Sequence, residues 1–381
     1  MKIAVLGLYY SSNLGDAIIC DCVMNWMRES FPKAHIDLID IEGKKEFSTQ
    51  VSMSVKEIKI RQVKSRIEEW LTRHNIDMMC FWNKRDVQLR QKLYDRIAAE
   101  HYDIAVFAGG QLFMDWLSMD VSEFVKRFVY VRTPVFFNAC GTGKALSRYI
   151  RERLKSALLS DVVKFISSRD NVEEINRLYL SSGKHAVKTF DPALWADCVY
   201  GKRKKDNIPV GLGVMHCVYI PCDKLEKFWM DVIKELETRG IEWKMFCNGA
   251  IEDYNLGLRV LEKMRMPKEN KMMKIAVRPE ELVDQISEFS SLISFRLHSH
   301  IVAASLNIPA VGINWDEKLK FFYGNIGHKE RCLPVGCPAQ EVVKVLLEAC
   351  EEGCDRELIQ RQRIYARKIL LSEINQVIIH E

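Results

Sequence analysis

The chain opens on an apolar run, Lys2-Ile-Ala-Val-Leu-Gly7, then a polar loop from Tyr9 to Gly15. Ile18, Ile19, Cys22, Val23, Trp26 and Met27 follow at helical spacing. A short apolar run bounded by turn residues reads as a strand buried on both faces, and the 3.6-residue repeat as a helix with one apolar face. Asp16 is the expected N-cap of that helix. Pro32 closes the unit, and His35-Ile-Asp-Leu-Ile-Asp-Ile41 alternates as a second strand. The chain thus begins as a βαβ unit.

The same alternation continues. Residues 43–100 predict two helices, near 55–74 and 86–100, the second with Leu89, Leu93 and Ile97 on its inner face. Asp103–Ala108 is a strand ending in Gly109-Gly110, and Pro134–Asn138 a strand ending in Gly141-Thr-Gly143. A helix to about residue 159 follows, then a strand at Val162–Ser167 and a helix from Asp170 with Glu173 in capping-box position. Val187-Lys-Thr-Phe leads to Asp191-Pro192-Ala193. The charged stretch Gly201–Pro209 has no apolar period and reads as a linker. A second series starts at Val210: a helix at 223–238, a strand at 241–247, a helical stretch at 253–265, a strand near 273–277 and a helix at 279–289. Strand Leu292–Phe295 and strand Ala310–Asn314 follow, and 339–350 and 354–379 read as closing helices.

This pattern predicts an α/β protein of two doubly wound, Rossmann-like domains. We place the first at 1–200, the second at 208–338, and closing helices at 339–381. The active site is expected in the cleft between the domains.

Composition narrows the function classes. At 381 residues the chain is too long for one compact core. No apolar run is long enough to cross a bilayer. The N-terminus reads as a strand rather than a leader, which makes a cytoplasmic location the expectation. A net charge of +5, with basic residues scattered among acidic ones, argues against nucleic acid but suits an anionic substrate or peripheral contact with a membrane. Of twelve cysteines, none forms a C-x-x-C pair. Cys332, Cys337, Cys350 and Cys354 match no common zinc spacing, so buried free thiols are expected and no metal.

The chemistry concentrates at strand ends. Arg296-Leu-His298-Ser-His300 follows one buried strand and Lys318 comes just after the next. In a parallel sheet such positions gather at one edge, so two cations and an imidazole there suit an anion and a moving proton. If 296–298 are extended, Arg296 and His298 share a face. Arg169 closes an earlier strand beside a helix start, a site that favours anions. Taken alone it reads as an exposed arginine paired with Asp170 or Glu173. Gly109 and Gly110 permit a tight turn or close approach of a ligand to the backbone. Gly141-Thr-Gly143-Lys144 lacks the Ser or Thr of a phosphate-binding loop, and Gly211 and Gly213 lack the dinucleotide fingerprint. His216 ranks below His298 because it has no cationic neighbours in sequence.

These pieces together resemble the polysaccharide pyruvyl transferase family. The matching residues are Asn13-Leu-Gly15-Asp16, Ala108-Gly109-Gly110, Ser168-Arg169-Asp170, Asp191-Pro192-Ala193, Arg296-Leu-His298-Ser-His300, Asn307–Ile313 and Lys318, in order over about residues 1–325. Ala108 departs from a third glycine, and 138–143 follows the family's glycine-rich turn loosely. The resemblance implies a GT-B-like transferase that takes phosphoenolpyruvate as donor and builds a pyruvate ketal on a sugar or glycan precursor. Arg169, Arg296 and Lys318 would bind the donor, and His298 would handle the proton. Asn13, Asp16, Gly109 and Gly110 would face the acceptor. No cofactor or metal is needed. The rival readings are a GT-B glycosyltransferase using a nucleotide sugar and a non-catalytic sugar-phosphate binder.

Overall fold

The computed structural model describes the chain except residues 48–59, 61, 62, 65, 69, 72, 73, 75, 182, 206–208, 218 and 381. The helix expected at 55–74 therefore lies largely outside the described residues, although those described between 60 and 71 are helical.

Two parallel sheets carry the fold. The first holds β1 (Lys2–Gly7), β2 (His35–Asp40), β3 (Ile104–Phe107), β5 (Val135–Phe137), β7 (Val163–Ser168) and β8 (Val187–Lys188), in the order β2-β1-β3-β5-β7-β8. Between them, β4 (Gly110–Phe113) and β6 (Cys140–Thr142) form a small parallel pair. The second sheet holds β9 (Val210–Gly213), β10 (Trp243–Phe246), β11 (Ser291–Ser294), β12 (Ala310–Asn314) and β13 (Cys332–Pro334), in the order β10-β9-β11-β12-β13. Central strands such as β1 and β3 are apolar along their length because helices cover both faces.

Each sheet reverses direction once. In the first the reversal falls between β1 and β3, and in the second between β9 and β11. Ligands of open α/β sheets bind in the crevice beyond the strand ends at such points. The two reversal points face each other: the Leu14 amide donates to the Asn248 carbonyl at 3.0 Å, joining the loop after β1 to the loop after β10. Beneath this crevice an apolar seam runs through both domains. It joins Ile18 and Val23 of the first domain to Leu282, Ile286, Ile301 and Val302 of the second.

The two last helices part ways. Ala339–Glu352 packs on the second sheet, with Val342, Val343 and Leu346 in its core. Arg356–His380 returns to the first domain, where Ile359, Leu370 and Ile374 join the apolar seam. There the Arg363 guanidinium donates to Asp197 at 2.9 Å, and the Trp195 indole donates to the Arg363 carbonyl at 2.9 Å.

Several local expectations shift. The first helix runs Leu14–Ser30, so Asn13 holds the N-cap position and Asp16 lies in the first turn. The next helix begins at Met78, eight residues earlier than expected. Its inner face carries Val87, Tyr94 and Ile97, while Leu89 is 75% exposed. Asn171, not Asp170, caps the Val172–Tyr179 helix, accepting from the Glu174 amide at 3.0 Å. Residues 273–277 form no strand; only a bridge between Met245 and Met272 stands nearby. None of the twelve cysteines forms a disulfide.

Candidate active site

The strand-end residues meet in the crevice. His298 is buried in the first turn of the Leu297–Ser305 helix, for which Arg296 holds the N-cap position. Residues 296–298 are therefore a helix start and not extended. His298 Nε2 lies 3.2 Å from Nη1 of Arg169, from the other domain. The first domain comes closer still at Gly15, where a Cβ would stand 2.1 Å from Nδ1 of His298. The absent side chain at 15 is what lets the imidazole cross between domains.

Arg169 is buried and pairs with the carboxylate of Asp191, which also caps the Pro192–Trp195 turn by accepting from the Ala193 amide at 2.9 Å. Burial opposes its charge, but Asp191, Asp170 and Asp16 hold its pKa above the ordinary value. Its Nε has no hydrogen-bond partner, with Asp170 Oδ1 at 3.7 Å. It is thus a buried donor aimed at a site in need of an acceptor. The exposed arginine expected from sequence is instead the centre of the crevice.

Arg296 donates through Nε and Nη2 to one oxygen of Asp253, at 2.9 and 2.7 Å. Lys318 follows β12 in the first turn of the Glu317–Asn325 helix. Its Nζ lies 3.3 Å from Asp316 Oδ2, 3.3 Å from Gln111 Oε1 across the domain boundary, and 4.8 Å from the centre of the Trp315 ring.

Burial pushes the His298 pKa well below its ordinary value, and Arg169, Lys318 and Arg296 push it further the same way. The imidazole is neutral, with Arg169 placed to donate to Nε2. Three cations thus act on one imidazole across the crevice.

Asp16 is half-buried, and Asn13 Nδ2 donates to it at 3.2 Å. Its Oδ1 stands 3.5 Å from where a Cβ on Gly110 would be. Gly109 and Gly110 have φ of +132° and +91°, a backbone that only glycine adopts freely. Burial raises the Asp16 pKa from 3.8 to about 6, against the pull of Arg169, Lys318, the Asn13 hydrogen bond and Arg296. A raised carboxyl pKa means that folding is favoured while Asp16 is protonated, and that this contribution is lost as pH rises from about 4 through 6. Asp16→Asn removes the ionisation. We therefore expect the variant to gain stability relative to the native chain across that window, by up to about 3 kcal/mol at neutral pH. Urea unfolding from pH 4 to 8 measures this, and parallel curves would show that Asp16 is unperturbed.

The neighbouring histidine is structural. His300 Nε2 lies 2.9 Å from the Ser294 carbonyl oxygen and Nδ1 3.0 Å from the Tyr323 hydroxyl. Burial lowers its pKa to about 4. His216 donates its backbone amide to Asp253 at 2.7 Å, on the far side of Arg296. Asp253, Asn248 and Gln111 border the candidate site and were missed by sequence reasoning, as was the part of Asn138. Asn248 Nδ2 and Asn138 Oδ1 are buried without partners.

Two facing parallel α/β domains with a polar crevice define a GT-B-like fold. Solved structures of similar fold agree. A putative UDP-N-acetylglucosamine 2-epimerase from Listeria monocytogenes aligns with 100% of this chain and 97% of its own, at 11% identity and a TM-score of 0.62. The UDP-GlcNAc 2-epimerase of Neisseria meningitidis bound to UDP-GlcNAc aligns over 99% and 100%, at 11% identity and 0.55. The S. aureus MnaA–UDP structure aligns over 98% and 95%, at 11% and 0.54. At such identities the likeness shows fold alone. No curated protein matches the chain in sequence. The family model for polysaccharide pyruvyl transferase matches residues 13–317, and the chain belongs to that family.

Proposed function

We propose that the protein transfers the pyruvyl group of phosphoenolpyruvate to two hydroxyls of a sugar, forming a ketal, in the cytoplasm. One observation carries this reading: in the interdomain crevice Arg169 lies 3.2 Å from His298, and Arg169, Arg296 and Lys318 all lower the proton affinity of its ring. The donor bears a phosphate and a carboxylate, which match three cations, and Nε of Arg169 has no partner of its own. Its negative charge offsets those cations, so His298 gains proton affinity only when the donor is bound.

The chemistry then balances. C3 of the donor takes a proton, for which His298 is the carrier, and C2 becomes electrophilic. One sugar hydroxyl bonds to C2 and gives up its proton, with Asp16 as acceptor. The C2–O bond to phosphate breaks. The second hydroxyl closes the ring at C2, and its proton leaves with inorganic phosphate. Asn13, Gly109 and Gly110 border Asp16 and form the acceptor side. The scheme calls for no cofactor or metal.

The test incubates the protein with phosphoenolpyruvate and candidate glycosides, following phosphate and product mass. We expect equal amounts of phosphate and ketal. Phosphate release without ketal, for every precursor of its own pathway, counts against the reading. The second reading is a nucleotide-sugar donor. It draws on a cleft pocket of about 240 Å³ between Tyr10, Phe47, Gly249 and Ile275, beside the same loops. Thermal stabilisation separates them. A ligand at a hundred times its Kd stabilises by about 2.7 kcal/mol, so phosphoenolpyruvate should raise Tm where a nucleotide-sugar panel does not.

A further inference from the structure

Lys188 is a half-buried cation that the proposed chemistry does not use. It stands on β8, in register with Ser168 at the end of β7. Its Nζ donates to the Arg169 carbonyl at 2.7 Å and to the Asp170 carbonyl at 3.1 Å. Among the described residues it forms no ion pair with a carboxylate. Burial lowers its pKa, and Asp170 pulls the other way. Taking an ammonium out of water without an anionic partner costs stability. A strand needs no cation at this position, since an apolar side chain would serve the pairing as well.

The two carbonyls belong to the turn that carries the donor-site arginine. Other groups hold the same turn. The Asp170 amide donates to the Ser168 hydroxyl at 3.1 Å, and the Thr189 amide to the Ser168 carbonyl at 2.9 Å. Asn325 ends the helix that begins beside Lys318, and its Nδ2 donates to the Arg169 carbonyl at 3.4 Å. Lys188 is the charged member of this set. A compact ammonium with three donors can meet two carbonyls at once. The direction in which the Arg169 side chain leaves the backbone therefore depends on Lys188.

Charge gives a second reason for a lysine. Arg169 lies in the field of Asp191, Asp170 and Asp16. One guanidinium among three carboxylates would meet a doubly anionic donor poorly. Lys188 and Lys318 both act on Asp170 and favour its counter-charge. Lys188 thus offsets negative charge on the same turn.

We propose, on the donor reading above, that Lys188 is a positioning residue for Arg169, holding the turn through two carbonyls so that the guanidinium meets the anionic donor. Calorimetric binding of phosphoenolpyruvate and steady-state kinetics test this. Lys188→Met should raise Kd and KM for phosphoenolpyruvate at least about tenfold, the scale of a hydrogen bond to a charged group, and change kcat little. Methionine removes a half-buried charge, so the fold should survive. Should that variant not fold, Lys188→Gln keeps N–H donors without the charge and should raise Kd in the same direction. Lys188→Arg keeps both charge and donors and should restore most of the affinity. In an Arg169→Lys chain the fork is already gone, so Lys188→Met should cost less affinity there than in the native chain. A native chain that does not bind phosphoenolpyruvate overturns the donor reading and this inference together. Native binding that Lys188→Met leaves intact overturns this inference alone, as does an equal cost in both backgrounds. A lowered Tm with unchanged Kd would confine Lys188 to the fold and overturn it too.

Discussion

Replacing His298 with alanine should cut ketal formation by about a hundredfold to ten-thousandfold, the range for loss of a positioned proton carrier. The ring has no substitute at its position. Arg169 stays charged, and Asp16 is proposed to serve the acceptor. The fold should survive, because a neutral imidazole pressed among three cations is held there by packing and not by favourable charge. Donor affinity should change less than turnover, since the proposed partners of the anion are Arg169, Arg296 and Lys318. A second readout checks the environment. Because burial depresses the native pKa, His298 binds its proton more readily in the unfolded chain. Native stability should therefore fall as pH drops below about 6.5, and His298→Ala should lack that part of the fall. Unaltered turnover in the variant removes the assignment. Unaltered acid sensitivity shows that the ring is not held neutral.

Arg169→Ala should be the most destabilising change in the crevice. It leaves Asp191 and Asp170 buried without their cation, and stranding one partner of a buried pair costs about 3–5 kcal/mol. Burial already raises the Asp170 pKa, and Arg169 is the largest influence holding it down. Asp170 should then hold its proton to higher pH, so the loss of stability should be greatest at high pH. Adding Asp191→Asn should restore part of it. Arg169→Lys keeps the charge but not the fork, and should keep more stability than donor affinity. Urea unfolding of the single and double variants tests the coupling. Additive effects would mean that Arg169 and Asp191 do not act as a pair. Arg296→Ala carries the same hazard through Asp253, so its donor affinity must be judged against its stability.

Much of this was legible in the sequence because parallel strands write themselves as apolar runs and place the next residues at one edge. Arg169, Arg296, His298 and Lys318 were found that way. Their counter-ions were not. Asp191 stands 22 residues from Arg169 and Asp253 43 from Arg296, and tertiary pairs at such separations leave no local pattern. Asp16 reads as a cap because caps are common acidic residues at helix starts. Here the cap falls three residues earlier, at Asn13, which frees the carboxylate for the crevice. Leu89 matched a helical period but sits on the outer face, since Val87 and Tyr94 set the phase.

The contact between Gly15 and His298 also limits how the two halves can move. The ring is anchored in one lobe and lodged against the backbone of the other. Any widening of the gap to admit a bulky glycan draws the imidazole away from Arg169 as well. On the proposed chemistry, admission and reaction would then alternate.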